Sequence, residues 1–297
     1  MNSDVFCLQE VHIENFQETI LPTLLDNGYQ AVFKQKTGSQ LDGCSILFKK
    51  NKFQLKETME VEFKRPDISH LLDKDNVALL VKLRPIGTGS DVDANLVIAN
   101  THLLFNPKRG DIKLAQLRLL FAEIHQFSQL NKLPVILCGD MNSEPRSPLV
   151  RFIVDGKLNL TNLKSGDISG QREGIQNGRP FFKHDLLMKG INCNSCFDEN
   201  IEDNTDGDSP HMTIQHMFQF RSTYPVIDEY NQPLASIFTN YDIGLVDHIF
   251  YSYRHPNLRL SAFRQLPNNQ NIIKIGHLPN SILGSDHMSL SAKFYLL

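Results

Sequence analysis

Four apolar runs in this chain each stop abruptly on a side chain that can hold a metal or carry a proton. FCLQE ends at Glu10, VIANTH ends at His102, VILCGDMN carries Asp140 and Asn142, and LVDHIFYS carries Asp247. A fifth segment, GSDHMSL, brings in Asp286 and His287. Short runs rich in Val, Ile and Leu that end in polar residues read as buried strands. Ends of neighbouring strands in a sheet meet on one rim, so five such endings can gather one site from distant parts of the chain.

Other runs fit the same plan. YQAVFK, CSILFKK and VALLVKL also read as strands, and PIGTGSDVD (85–93), between VALLVKL and NLVIANTHLL, is a turn-rich loop. Residues 14–27 have apolar side chains near helical spacing and stop at Gly28, a plausible C-cap. Residues 111–130 predict the clearest helix, with Ile112, Leu114, Leu117, Leu120, Phe121, Ile124 and Phe127 on one broad face and Asp111 placed to cap its start. A short helix is expected through LVRFIVDG; from about 157 to 235 the pattern weakens among many Asn, Asp, Gly and Ser residues, with a long polar loop near 198–210. Strands and helices alternate without a linker or an internal repeat. The expected fold is therefore α/β, one domain over residues 1–297.

Composition narrows the function classes. With 41% hydrophobic and 21% charged residues the chain reads as globular, and its net charge of −3 argues against a generally basic nucleic-acid surface. No run approaches the ~18 apolar residues of a membrane span. The start, MNSDVFCLQEV, has no basic n-region, so an intracellular protein of cytoplasm or nucleus is expected. Cys7, Cys44 and Cys138 sit in apolar runs and read as small buried hydrophobes; Cys193 and Cys196 form a lone CxxC without a second pair to complete a zinc site.

Each candidate has an ordinary explanation. Glu10 alone reads as a surface carboxylate, His102 as a hydrogen-bonded core imidazole, Asp140 and Asn142 as turn formers after Gly139, Asp247 as a strand-end cap. Their joint occurrence in these flanks is what points to chemistry. A phosphate ester already carries negative charge and repels nucleophiles. A hard divalent cation, here Mg²⁺, held by one or two carboxylates neutralises it. Glu10 suits that role, with Asp286 a second ligand. Asp140 and Asn142 suit orienting and deprotonating water. His102, His287 and the Asn142 amide can donate to the phosphoryl oxygens. Asp247 beside His287 would fix its tautomer and raise its proton affinity.

The ordered set LQEV, NTHL, GDMNS, VDHIFYS and SDHMSL resembles the DNase I-like superfamily of endonucleases, exonucleases and phosphatases. KTGSQLDGCSILFKK, FKRPDISHLLDKDNVALL and NTHLLFNPKRGDIKLAQ resemble its carbon-catabolite-repressor-four-like nucleases, and among these the Angel branch. The resemblance implies a two-layer β-sandwich flanked by helices. It places Glu10 on the metal-binding glutamate, His102 on the phosphate-contacting histidine, and Asp140 with Asn142 on the pair that positions nucleophile and phosphate. Asp247 and His287 fall on the acid–base dyad and Asp286 on the adjacent acidic position. Asn106 and Pro107 match the step that contacts a base, and Lys108, Arg109 and Lys113 flank it as candidates for the RNA backbone. His248 and Met141 stand where Tyr and Phe are usual.

The family also opens with a strand ending in an asparagine and a following helix, both ahead of LQE. This chain starts at MNSDVFCLQE, so the expectation is a fold whose first strand is missing, with reduced stability and weakened metal binding. The activity the resemblance implies is Mg²⁺-dependent removal of 2′,3′-cyclic phosphates from RNA ends. Removal of poly(A) from the 3′ end is the first alternative, and an RNA-binding scaffold with impaired catalysis is the second. A lipid or inositol phosphatase is disfavoured by the lack of a polybasic or amphipathic membrane segment.

Overall fold

A computed structural model describes residues 3–87, 95–191, 212–267, 274 and 276–297. Cys193, Cys196, the polar loop at 198–210 and residues 88–93 of the 85–93 loop lie outside the described residues.

The described strands, in chain order, begin with β1 (Val5–His12), β2 (Tyr29–Gln35), β3 (Asp42–Lys49), β4 (Phe53–Glu62), β5 (Val77–Pro85), β6 (Leu96–His102) and β7 (Val135–Asp140). They continue with β8 (Lys157–Asn159), β9 (Thr213–Gln215), β10 (Phe220–Ser222), β11 (Ile237–Phe238), β12 (Ile243–Gly244), β13 (Asp247–Ser252), β14 (Leu258–Phe263) and β15 (Ala292–Leu296). Helix α1 (Ile13–Asn15) passes through a π-helical turn at Phe16–Ile20 into α2 (Leu21–Asp26); α3 is Gly110–Phe127 and α4 is Pro148–Asp155. Gly28 follows α2 at φ +82, the left-handed conformation that makes glycine the natural helix stop.

Six strands in the order β10-β13-β7-β6-β5-β4 form the main sheet; β6 and β7 run parallel and the other pairs antiparallel. A smaller antiparallel sheet has the order β1-β3-β2. The two face each other. Alternate residues of β5 (Val77, Leu79, Val81, Leu83) meet Cys44, Ile46 and Phe48 of β3. Their neighbours Ala78 and Leu80 point the other way, onto Leu117, Leu120, Phe121 and Ile124 of α3. The outer face of the small sheet carries Leu47 and Tyr29, covered by Phe16, Ile20, Leu21 and Leu24. The result is helix, sheet, sheet, helix: the expected sandwich. Its driving force is area, since each fully buried Leu, Ile or Phe contributes roughly 1.5–3 kcal/mol.

Three expectations need correction. Helix α3 is buried almost all round, not on one face. Leu160, Ile168, Phe181, Leu186 and Met188 close over its outer side, and they come from the Asn- and Gly-rich stretch whose pattern looked structureless. Asp111 does not cap α3: it is buried and paired with Arg109 (3.0 Å) and Arg179 (3.4 Å). Strand β4 went unrecognised because four of the ten residues of FQLKETMEVE are charged. It is an edge strand that turns Phe53, Leu55, Met59 and Val61 inward, with a register shift between Leu55 and Glu57. Of the cysteines, Cys44 is buried while Cys7 and Cys138 are half-buried, all with free thiols.

His216 sits in this core as a fixed neutral imidazole. Its Nε2 donates to the Phe152 carbonyl (2.8 Å), its Nδ1 accepts from the Phe218 amide (3.1 Å), and its ring packs edge-on to Phe121 and Phe152. Burial holds its pKa down to about 4. An unfolded histidine titrates near 6.5, so the unfolded chain binds the proton first as pH falls. The contribution is intact above pH ~6.5, shrinks as pH drops, and is gone below about 4; at full extent it is about 3 kcal/mol. Urea unfolding at pH 7 and pH 4.5 is expected to show this loss on top of one from His102, whose pKa burial also lowers to about 4, and His216→Gln should make the slope between them shallower by the His216 share. An identical slope in the variant would show that His216 is not the group responsible.

Candidate active site

Strand register places the first part of the site. On β6, β7 and β13, His102 is the Cα partner of Asp140, and Asp140 is the partner of Asp247. The three therefore stand in a row across one rim, spaced by the ~4.8 Å between neighbouring strands. Gly139 makes the row possible, because a Cβ there would overlap the Thr101 carbonyl oxygen of β6.

The fourth member arrives from the other end of the chain. His287 bridges to Ile237, and the Met288 amide donates to the Ser236 carbonyl (2.6 Å). That pairing carries His287 Nδ1 to 2.7 Å from Asp247 Oδ2. Ligand atoms of Asp140, Asp247 and His287 all lie within 4.8 Å of one another.

Two site residues sit at strained backbone: Glu10 at φ +54 and Asn142 at φ +47. Such conformations cost of order 1–3 kcal/mol and persist only where surroundings enforce them. For Asn142 the enforcement is visible. Its amide N–H donates to Asp140 Oδ1 (2.7 Å), its side-chain Nδ2 to the Leu103 carbonyl (3.0 Å), and its own carbonyl accepts from Lys113 Nζ (2.6 Å). For Glu10, a buried amide pair just before it anchors β1: Gln9 Nε2 donates to Asn100 Oδ1 (2.5 Å), and Asn100 Nδ2 donates to the carbonyls of Leu8 and Ser45. Glu10 then projects into solvent, with Oε1 3.9 Å from His102 Nδ1.

Electrostatics separate the roles. Burial, with Asp247 and Glu10 adding negative charge nearby, pushes the Asp140 carboxyl up to about 8. Burial lowers His102 to about 4, so it is a neutral ring at physiological pH. His287 loses proton affinity to desolvation and regains more from the Asp247 carboxylate, which lifts it to about 9. It is an imidazolium at pH 7. The site thus holds a fixed cation, a neutral donor and a set of crowded carboxylates on one rim.

The sequence model of the Endonuclease/Exonuclease/phosphatase family matches residues 1–287. The chain belongs to this family.

Among its relatives, "Protein angel homolog 2" of Danio rerio is 37% identical over 99% of this chain, and that of Homo sapiens 36% over 99%. The chain spans 56% and 61% of those relatives' own lengths. A crystal structure of ANGEL2, described as a 2′,3′-cyclic phosphatase in complex with adenosine-2′,3′-vanadate, superposes with a TM-score of 0.85 at 36% identity, covering 99% of this chain and 82% of that one. The human nocturnin catalytic domain shares the fold at a TM-score of 0.61 and 21% identity.

The acidic oxygens of this rim suit a divalent cation. The Asp140 carboxyl is held protonated by burial and by the nearby charges of Asp247 and Glu10, a penalty that a hard ion bound to these oxygens would relieve. Glu10 and Asp286 lie outside the 4.8 Å cluster: Glu10 is near His102, and Asp286 is close enough to act on the His287 charge.

The substrate-side candidates divide. Asn106 and Lys108 are exposed and Pro107 half-buried, in a loop held by Ser165 Oγ on the Lys108 carbonyl (2.9 Å) and Ser169 Oγ on the Pro107 carbonyl (3.3 Å). Arg109 forks onto Asp111 and is partly open to solvent. Lys113 is not available to RNA. It is fully buried, binds the Asn142 carbonyl and Gln171 Oε1 (2.9 Å), and its pKa falls to about 7 through burial. Lys113 therefore holds the Asp140–Asn142 turn from below, a role its spacing next to exposed basic residues concealed. His248 and Met141 pack as core side chains, His248 Nε2 on the Ser143 carbonyl (2.8 Å).

Proposed function

We propose that this chain hydrolyses 2′,3′-cyclic phosphates at RNA ends with Mg²⁺ as cofactor. The observation that carries the reading is the His102–Asp140–Asp247 row completed by His287, in a chain 36% identical over 99% of its length to a 2′,3′-cyclic phosphatase. An intracellular place, in cytoplasm or nucleus where RNA is processed, goes with it.

The chemistry follows from the residues. Attack by water on the cyclic phosphorus breaks one bond between phosphorus and a ribose oxygen. That oxygen leaves as a hydroxyl carrying the proton the water gives up, and a terminal monoester results. Attack by a second water on that monoester releases inorganic phosphate and frees both ribose hydroxyls. Asp140, mainly a neutral acid at pH 7 while no cation is bound, would ionise once a divalent cation offset the negative charge of the rim. It is then the group placed to take the water's proton, with Asn142 beside it to orient the attack. His287, charged at neutral pH and oriented through Nδ1 by Asp247, donates toward the developing charge on the phosphoryl oxygens. His102, a neutral ring at the same rim, adds a donor without adding charge. When bound, Mg²⁺ would be held by Glu10 and neighbouring carboxylates and would neutralise substrate charge. Exposed Asn106 with the half-buried Pro107 and Arg109 are the loop positions that face RNA in this reading.

Substrate form decides between the family's activities. An oligonucleotide ending in a cyclic phosphate and an oligoadenylate with a free 3′ hydroxyl are each incubated with protein and Mg²⁺. Conversion of the first with the second intact is expected, and chelation should stop it. Shortening of the oligoadenylate with the cyclic end untouched would make the chain a poly(A) exonuclease instead. RNA binding without turnover of either would make it a scaffold.

A further inference from the structure

We propose that His70, His184 and Asp185 form a second metal site, for a borderline transition ion such as Zn²⁺, apart from the catalytic rim. His70 belongs to the loop after β4, and His184 and Asp185 to the 3₁₀ turn at Lys183–Leu186. Their ligand atoms lie within 4.8 Å of one another. Two imidazole nitrogens and one carboxylate oxygen are the donor set of a zinc or similar ion, and a poor one for Mg²⁺.

Distances separate this reading from a simple hydrogen-bonded cluster. His70 Nε2 is 3.2 Å and His184 Nε2 3.6 Å from the same atom, Asp185 Oδ1. Hydrogen bonds of this type fall at about 2.7–3.2 Å, so 3.6 Å is too long. A tetrahedral ion with ligand bonds near 2.1 Å places its ligands about 3.4 Å apart, which both distances approach.

The shared carboxylate is prepared for the role. Its Oδ2 is saturated by Arg179 Nη1 (2.6 Å) and the Phe182 amide (2.9 Å). Its Oδ1 accepts one bond from Arg179 Nη2 (2.7 Å), leaving a second lone pair toward the two rings. The Arg179 fork is the kind of outer partner that orients a ligating carboxylate. The His184 ring is fixed as well, stacked on Phe182 at 5.5 Å between centroids and 7° between planes. The carboxylate is fully buried while the two imidazoles are 53% and 65% exposed, so an ion can enter from solvent and keep a water in its fourth position. Bound there, it would pin the loop after β4 to the segment that covers α3.

The test is equilibrium dialysis of the full chain against Zn²⁺ with saturating Mg²⁺, comparing wild type with His70→Ala/His184→Ala. The wild type is expected to retain one more equivalent of zinc and to gain thermal stability from it. The double variant, altered only at exposed rings, should show neither effect while hydrolysing the RNA substrate at the wild-type rate with Mg²⁺. Single substitution His184→Gln, which leaves the carboxylate network whole, should lose the same equivalent. Equal zinc stoichiometry in wild type and variants would overturn the site.

Discussion

Asp140→Asn is expected to lower turnover of an RNA-terminal cyclic phosphate by about 10²–10⁴-fold, the usual range for loss of a positioned general base. The amide has the carboxylate's shape and keeps an oxygen for the Asn142 N–H, so the turn with its positive φ should stay in place. What disappears is the proton acceptor facing Asp247 and His287. Single-turnover rates with saturating enzyme isolate this step from binding. RNA affinity is expected to change little, because Asp140 is buried and reaches substrate only through the attacking water. A variant within tenfold of wild type would remove Asp140 from the mechanism. Asp247→Asn is expected to act through His287 instead. Without the charge that raises it, the His287 pKa should fall back from about 9, and activity should then decline at a lower pH than in wild type.

Gly139→Ala is the substitution expected to do most damage to the fold near the site. The added methyl would meet the backbone oxygen of Thr101, not a side chain that can swing aside. Overpacking costs typically 1–3 kcal/mol, and backbone that must move adds to it; a loss of about 3–4 kcal/mol is expected. Because β6 and β7 are pushed apart at the very residues that bear His102 and Asp140, activity should fall further than stability at temperatures where the variant is still folded. Gly28→Ala serves as the control. It too has a positive φ, but nothing lies within 4 Å of its would-be Cβ, so only about 1 kcal/mol of strain is expected. Denaturant unfolding of both proteins checks the comparison, and equal losses would mean that conformation, not the Thr101 contact, sets the cost.

Much of this arrangement was legible beforehand because it rests on local pattern. Apolar runs set the positions of β1, β2, β3, β5, β6, β7 and β13. Glu10, His102 and Asp140 lie toward the ends of β1, β6 and β7, whereas Asp247 opens β13 and His287 stands at an isolated bridge to Ile237, five residues before β15, where a strand start was expected. Elements whose pattern was interrupted were not legible. β4 lost its alternation to charged residues and to the register shift after Leu55, which moves its apolar side chains from the core between the sheets (Phe53, Leu55) to the core against α3 (Met59, Val61). The stretch from 157 to 191 reads as loop, yet Phe181, Leu186 and Met188 are buried against α3, because single apolar residues can fill a core without any period.

What the amino-acid order determined by itself is therefore a partial inventory: the uninterrupted apolar core strands, the ionisable residues beside them, and the family of phosphate-ester chemistry to which they conform. What only the tertiary structure decided is the partnership of those residues. Lys113, three positions inside a helix beside exposed basic neighbours, could have met RNA or the core; packing of α3 sent it to the Asn142 carbonyl. Asp111 could have capped a helix and instead became the hub between Arg109 and Arg179. His184 and Asp185 are adjacent, but His70 lies 114 residues before His184, so no sequence signal joins the three. The reason is common to all three: charge and hydrogen-bond partners are set by distances through space, and a sequence specifies those only once its apolar surfaces have chosen how to stack.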